Sequence, residues 1–247
     1  MGFRTARSLE RCSCAALPGP VRGMVFGMGN VLYDATLWRR WLLRVLRRLG
    51  LCTSYRSFFH IWDREYLAEV RRGRRDFGEA LRSFLLAAGL SPGQIQEVEA
   101  ACEARRRHWE AEARLLTGVR TTLERLHAAG FVLAVATDSE YPAAVLRRRL
   151  DSLGLTGLFT TVVSSVDVGQ TMPHPLPYLT ALRHMRISPP QAAFVGHSAC
   201  ELAGASSLGM MTVAFNYEPE IEADAYAATF TDLLELTGVQ TRYAEAG

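Results

Sequence analysis

The chain has 247 residues, of which 49% are hydrophobic and 21% are charged, so it can bury one substantial core or a core with a smaller second module. Its net charge of +3 is mild, and residues 1–22 contain no apolar stretch long enough for a secretory core or a membrane span, so no nucleic-acid or membrane partner is predicted. The sequence contains arginine but no lysine, which excludes any mechanism that needs a lysine side chain. Its five cysteines are scattered along the chain, which indicates reduced thiols in a cytoplasmic protein: Cys12, Cys14, Cys52, Cys102 and Cys200.

The first predicted element is a short buried strand, "MVF", which runs into the glycine-rich turn "GMGN". Residues 1–22 before this strand are expected to form a disordered extension. Translation could start at Met1 or at Met24, which lies directly at the strand. The first folded unit is therefore predicted to begin at residue 23.

Residues 35–113 are predicted to form an all-helical insertion. The segment "WRRWLLRVLRRLG" places a stripe of tryptophan and aliphatic side chains opposite a stripe of five arginines: Arg39, Arg40, Arg44, Arg47 and Arg48. A solvated arginine face is favoured over a membrane or an acidic partner. Four aromatic side chains of the following helices are assigned to helix packing rather than to a substrate pocket: Phe58, Phe59, Trp62 and Tyr66.

Strand and helix patterns alternate from residue 114 to residue 240. Buried strands are predicted at "FVLAVAT", "FTTVVSS", "AAFVG" and "MTVAF", with helices between them and a tail at 241–247. This alternation predicts an α/β fold with a parallel sheet and helices on both faces. Ligands of such sheets bind at the carboxyl ends of the strands. The turns that follow four strand-end residues are therefore expected to meet at one site: Phe26, Ala136, Ser164 and Val195.

Four stretches contain these turns: "VFGMGNVLYD", "LLTGVRTTLERLHAAGFVLAVATD", "LFTTVVSSVDVGQTMPHPLPYL" and "AAFVGHSACELAGASSLGMMTVAF". In order and spacing they resemble the four motifs of the haloacid dehalogenase-like hydrolase superfamily, in the form with a helical cap after the first strand. The resemblance covers residues 24–237. It implies a three-layer Rossmann-like parallel sheet core, made of residues 23–34 and 114–240, with residues 35–113 inserted as an all-helical cap domain.

The sequence departs from the family pattern where the resemblance implies catalysis. Gly27 replaces the nucleophilic aspartate that attacks phosphorus, and Gly29 replaces a second aspartate that many members use as general acid and base. Met172 replaces the lysine that screens phosphate charge, and His197 and Glu201 stand at the magnesium-binding acids. Glycine cannot form an aspartyl intermediate, and neutral imidazole is a poor magnesium ligand. We therefore expect none of the usual catalytic residues and no bound magnesium.

The first motif nevertheless keeps the shape of a phosphate-binding turn. Backbone amides of residues 27–30 and the hydroxyl of Thr137, which takes the family's phosphate-binding hydroxyl position, could hold a phosphate or another small anion. The predicted substrate-binding residues are Gly29, Asn30, Thr137 and Asp138. The alternative is that the glycines serve only a tight turn.

The segment "VGHSACE" suggests other chemistry. Ser198 is placed as in a nucleophile elbow, but no histidine follows His197, so a serine triad in that order is excluded and Ser198 is assigned as a helix cap. Cys200 beside His197 could act as a thiolate nucleophile, although a buried packing role is favoured. A zinc site from His197, Cys200 and Glu201 would lack the paired ligands of a typical zinc site.

Three function hypotheses follow. The first is a non-catalytic binding or regulatory protein that retains the ligand cleft of the family. The alternative is a hydrolase for small phosphorylated metabolites or similar acids that uses water or Cys200 in place of the aspartate. The third is a module that binds a partner through its arginine-rich first cap helix. A homodimer is compatible with the resemblance, but no residue specifies one.

Overall fold

A computed structural model describes residues 17, 19–51, 53–217 and 220–239, with the backbone alone for residues 106–112. The predicted tail at 241–247, residues 1–16 of the predicted extension, and Cys12, Cys14 and Cys52 lie outside the described residues. No helix among the described residues is both long enough and apolar enough to cross a membrane.

Six strands form one sheet in the order β3-β2-β1-β4-β5-β6: β1 Gly23–Phe26, β2 Val132–Thr137, β3 Thr161–Ser164, β4 Ala192–Gly196, β5 Met211–Phe215 and β6 Ala225–Ala227. Every neighbouring pair is parallel. The first strand is central, with Phe26 opposite Val135 of β2 and Val195 of β4. All carboxyl ends therefore lie at one edge of the sheet, and the predicted α/β fold class is confirmed.

The helices between β1 and β2 begin with a cap group: α1 Thr36–Arg48, α2 Tyr55–Ile61, a π-helical segment Trp62–Leu67, α3 Ala68–Arg71, α4 Phe77–Ala87 and α5 Pro92–Glu112. They bury a hydrophobic cluster of their own, in which Phe58, Phe59 and Trp62 are at most 5% exposed and Tyr66 packs at the margin. The predicted packing role of Phe58, Phe59 and Tyr66 is confirmed, whereas Trp62 packs in this cluster and also lines a cavity between these helices and the sheet.

The arginine face predicted for α1 is only partly solvated. Arg40, Arg44, Arg47 and Arg48 are exposed. Arg39 instead donates two hydrogen bonds to the carboxylate of Asp63, at 2.7 and 2.6 Å, and is half-buried. Arg39 was wrongly placed on the solvated face, because its position at the start of α1 faces the π-helical segment.

The remaining helices cover both faces of the sheet: α6 Val119–Ala128, α7 Ala143–Ser152, α8 Ser165–Val168, α9 Pro175–Met185, α10 Ala199–Ser207 and α11 Asp232–Leu236. Strand β1 shows how the layers form, since Met24 and Phe26 point into one hydrophobic cluster and Val25 points into the other. Helices α6, α7 and α11 pack on the first face, and α9 and α10 pack on the second. The core is thus a three-layer sandwich.

The chain before β1 also packs on this core. Leu17 is 9% exposed, and its amide donates to the carbonyl of Leu236 at 2.9 Å. The amide of Arg22 donates to the carbonyl of Gln191 at 2.8 Å. Leu17 and residues 19–22 therefore differ from the disordered extension expected for residues 1–22, because an apolar side chain and backbone hydrogen bonds fix them on the core.

Candidate functional site

The tip of β1 carries no carboxylate, although its backbone would accept one. The amide of Gly27 donates to the carbonyl of Val195 at 2.9 Å, which fixes the residue between β1 and β4. A Cβ atom at Gly27 would lie 3.2 Å from a methyl group of Val31, so a side chain would need only a small shift of that valine. The missing carboxylate is therefore a property of the residue and not of a distorted turn.

The turn after β1, residues 27–35, is held by Asn30. This residue has φ +59°, and its amide donates to the carbonyl of Tyr33 at 2.8 Å. Its side-chain oxygen accepts from the amide of Ala35 at 3.1 Å, and its carbonyl accepts from the side chain of Asn216 at 3.0 Å. The amide, the side-chain oxygen and the carbonyl of Asn30 thus build the turn, and a substrate-binding role of this residue stays a prediction.

Two other amides of this turn remain available for an anion. The amides of Gly27 and Asn30 are engaged, whereas those of Met28 and Gly29 have no hydrogen-bond partner among the described residues. Thr137, at the end of β2, is 8% exposed and lines the same cavity as Met28 and Gly29. An anion held here would bind these two amides and the Thr137 hydroxyl.

Asp138 follows Thr137 and is largely buried. Its Oδ1 accepts from the amide of Met172 at 3.0 Å. Burial raises the pKa of the Asp138 carboxyl to about 6, while the Met172 amide and the nearby Arg71 oppose this rise. The structure thus places a carboxyl group that titrates near neutral pH at the carboxyl edge of the sheet.

Met172, whose amide contacts the Asp138 carboxyl group, has an uncharged side chain. Its side chain is 6% exposed and belongs to the hydrophobic cluster that contains Tyr178 and Leu202. A cation at this position would have to leave that cluster to reach a ligand. The apolar packing explains how the protein tolerates methionine where the family resemblance implies lysine.

His197 and Glu201 lie next to each other after β4. Nδ1 of His197 is 3.5 Å from Oε2 of Glu201, and both atoms are buried without a hydrogen-bond partner. Together they offer one carboxylate and one imidazole. Magnesium prefers oxygen ligands, and no group of three or more His, Cys, Asp or Glu side chains among the described residues could hold a metal ion. These residues do not fit magnesium, and the loss of magnesium binding stays a prediction.

Cys200 is exposed, so the favoured buried packing role is wrong. The buried residues of α10 are Leu202, Gly204 and Ala205, whereas Cys200, in the first turn of the helix, is exposed. The thiol is only partly covered by protein, but this partial burial and the nearby carboxylates of Asp138 and Glu201 raise the Cys200 pKa. The thiol is therefore a poor nucleophile at neutral pH. Ser198 occupies the N-cap position of α10, but its side chain makes no capping hydrogen bond.

A cavity of about 960 Å³ lies between the cap and the core. We call it the cap–core cleft. Core residues Gly29, Tyr33, Thr137, Asp138 and Arg149 line it on one side, and Trp38, Arg39, Trp62 and Arg71 line it from the cap. It contains the predicted residues Gly29, Thr137 and Asp138. His197, Cys200, Glu201 and Met172 are not among its lining residues.

The structure adds Arg149, which the sequence analysis did not assign to the site. Arg149 is 7% exposed and lies on α7, where its side chain faces Tyr33. The sequence carries one signal for it: in "VLRRRLDSLG" this arginine follows Leu146 by three residues and precedes Leu150, so it shares the apolar face of its helix. The two arginines before it, Arg147 and Arg148, are exposed.

Comparisons with known proteins agree with this architecture. Residues 58–215 match the family of haloacid dehalogenase-like hydrolases. Phosphoglycolate phosphatase of Salmonella paratyphi A is 34% identical over 133 residues, which cover 51% of this chain and 52% of that protein. Pyrophosphatase PpaX of Halalkalibacterium halodurans is 25% identical over 196 residues, covering 75% of this chain and 89% of that protein. The chain thus spans about half the length of the phosphatases that it matches at higher identity.

The fold is also found among solved structures. The magnesium-bound HAD-hydrolase YfnB of Bacillus subtilis superimposes with a TM-score of 0.70 at 16% identity. The superposition covers 89% of this chain and all of that one. At this level of identity the likeness concerns the fold.

Proposed function

Because this chain belongs to the haloacid dehalogenase-like hydrolase family, we propose that its cap–core cleft binds a small phosphorylated metabolite without forming a phosphoaspartate. The names of its relatives, a phosphoglycolate phosphatase and a pyrophosphatase, support this ligand class. The observation that carries the proposal is Gly27, because the tip of the central strand has no side chain that could attack phosphorus.

The available binding groups agree with a phosphate. A phosphate oxygen can accept hydrogen bonds from three groups here: the free amides of Met28 and Gly29 and the hydroxyl of Thr137. Arg71 enters the same cleft from the cap and supplies positive charge. A protein with these groups can hold the ligand and respond to it through its cap, which supports a binding or regulatory role.

Hydrolysis of the same ligand is the second candidate. The relatives' names favour it, and so does Asp138, whose pKa of about 6 leaves it mostly ionised at pH 7. In this reaction Asp138 would take a proton from a water molecule that attacks phosphorus, and it would then give that proton to the leaving oxygen. Cys200 is a weaker choice than water because its thiol has a raised pKa.

Restoring the family residues tests the two candidates against each other. The triple variant Gly27→Asp, Met172→Lys and His197→Asp is incubated with magnesium and either 2-phosphoglycolate or pyrophosphate, and released phosphate is measured. We expect no phosphate release from the parent protein and measurable release from the triple variant. A Cβ at Gly27 would lie 3.2 Å from a methyl group of Val31 and 3.6 Å from the carbonyl oxygen of Val195, so the change requires only a small shift of Val31.

Three single variants identify the source of any activity in the parent protein. Turnover that persists through repeated purification and is lost in both Thr137→Ala and Asp138→Asn would establish hydrolysis by this site and contradict the non-catalytic proposal. Turnover that is unchanged in both variants would come from a contaminating enzyme. Cys200→Ala is the matched control, and we expect it to behave as the parent protein.

A further inference from the structure

Arg149 is a buried cation in the wall of the cap–core cleft. Its side chain is 7% exposed. Nη1 donates to the hydroxyl of Tyr33 at 3.4 Å, and the guanidinium lies 4.9 Å from the ring centroid of Tyr141. Nε is buried and has no hydrogen-bond partner. The polar contacts of the guanidinium are therefore with two tyrosines, and no carboxylate of the described residues forms an ion pair with it.

This charge is not neutralised within the described part of the protein. Arg149 forms no ion pair with the described residues, unlike Arg39, Arg72, Arg74 and Arg82. The carboxylate of Glu140 acts on Arg149 only through space, as the weakest of the influences on its ionisation. A buried guanidinium without an anionic partner is unfavourable, and such side chains commonly bind carboxylate or phosphate groups in two-point contacts.

We propose that Arg149 binds a second acidic group of the ligand, separate from the phosphate at the turn after β1. This inference rests on the proposed function. The ligand class is a small phosphorylated metabolite that carries an additional carboxylate or phosphate. Such a ligand neutralises the Arg149 guanidinium and completes the hydrogen bonding of this side chain.

The opposite side of the cleft supports this assignment. Arg71 reaches the cleft from the cap, and its Nε is also buried without a hydrogen-bond partner. Arg39 lines the same cleft, but Asp63 already holds both of its terminal nitrogens. Two arginines with unused donors therefore face one cavity, which favours a ligand with more than one negative group over a single phosphate.

Isothermal titration calorimetry on the full chain tests this role with three probes: 2-phosphoglycolate, pyrophosphate and inorganic phosphate. We expect the parent protein to bind at least one of the first two at least tenfold more tightly than phosphate. In Arg149→Met this preference should shrink by about tenfold or more, since a hydrogen bond to a charged group is lost. A loss of affinity for 2-phosphoglycolate would indicate that Arg149 binds a carboxylate, and a loss for pyrophosphate would indicate that it binds a second phosphate.

The readout is the ratio of the Kd for inorganic phosphate to the Kd for the larger probe that the parent protein binds more tightly. A purely structural role of Arg149 would change both Kd values together and leave this ratio unchanged. Arg148→Met, on the exposed side of the same helix, is the matched control and should leave the ratio unchanged. If Arg149→Met does not fold, Arg149→Lys should still lower the ratio at least threefold, because lysine cannot make the two-point contact.

Three results would overturn the inference. An unchanged ratio in the Arg149 variants would remove this role while leaving the proposed binding function in place. If the parent protein binds phosphate as tightly as the larger probes, the role of Arg149 is likewise removed and the proposed binding function remains. If the parent protein binds none of the three probes, both the inference and the proposed function fail.

Discussion

Asp138 is an aspartate of the site whose carboxyl group has a raised pKa. Its carboxyl group is largely buried and accepts a hydrogen bond from the amide of Met172, yet burial raises its pKa to about 6. The folded protein therefore binds the Asp138 proton more tightly than the unfolded chain does. The contribution of this group to stability is largest at acid pH and declines as the pH rises from about 4 to about 6.

Replacing Asp138 with asparagine should stabilise the protein at neutral pH. Asn keeps an oxygen that can accept from the Met172 amide, but it has no charge to bury. At pH 7.5 we expect a gain of up to about 3 kcal/mol in the free energy of unfolding, and near pH 4 the gain should vanish. Thermal unfolding at both pH values measures it. Asp151→Asn, at an exposed position, is the control, and an Asp138→Asn gain equal at both pH values would contradict the explanation.

Single residues of the site were predictable only where the backbone position decides their role. Gly29, Thr137 and Asp138 follow strands whose carboxyl ends meet, so their convergence could be expected from the sequence. Arg149 could not be assigned in this way, since its place in the cleft depends on how the cap sits over α7. The exposure of Cys200 was missed because the helical phase of a short, small-residue helix is weakly determined.

At the scale of elements, α10 depends on a glycine for its close packing. A Cβ atom at Gly204 would lie 2.6 Å from the hydroxyl oxygen of Tyr178 and 2.9 Å from Cα of Pro173. That tyrosine hydroxyl also donates to the carbonyl of Glu201 at 2.7 Å. The helix can therefore approach the loop at Pro173 only because residue 204 has no side chain.

Gly204→Ala should destabilise the protein by about 1–3 kcal/mol, because the clash with fixed atoms outweighs the helix preference of alanine. The matched control is Gly93→Ala in α5, where a Cβ would meet nothing within 4 Å. That variant should be stabilised by up to about 1 kcal/mol. Urea unfolding measures both, and a stabilised Gly204→Ala variant would contradict the close approach.

The elements themselves were largely readable from the sequence. Continuous apolar runs such as "FVLAVAT" specify buried parallel strands, and β2 covers Val132–Thr137 within that run. Gly130, with φ +89°, follows the end of α6, a position where glycine commonly ends a helix. Short elements were not predicted: β6 and α8 have three and four residues, too few to show a periodicity. The segment Trp62–Leu67 was predicted to be helical, but its π-helical form was not predicted.

At the scale of the whole molecule, cap and core bury separate hydrophobic clusters. The buried residues of the cap cluster all lie between Leu42 and Val98, whereas the two core clusters include all six strands and α6, α7, α9, α10 and α11. The two units meet across a cleft of about 960 Å³ that is lined by charged and polar side chains as well as aromatic ones. Because each unit buries its own hydrophobic cluster, we expect that the cap can loosen without the core.

Hydrogen exchange in two matched variants measures whether the cap opens independently of the core. Leu85 is fully buried in the cap cluster and Leu133 is 1% exposed in the core, so truncation of either to alanine should cost about 2–5 kcal/mol in its own unit. In Leu85→Ala we expect faster exchange in α1, α4 and α5, with β1, β2 and β4 as protected as in the parent protein. In Leu133→Ala the strands should lose protection first. Equal loss of protection in both units of the Leu85→Ala variant would show that they unfold together.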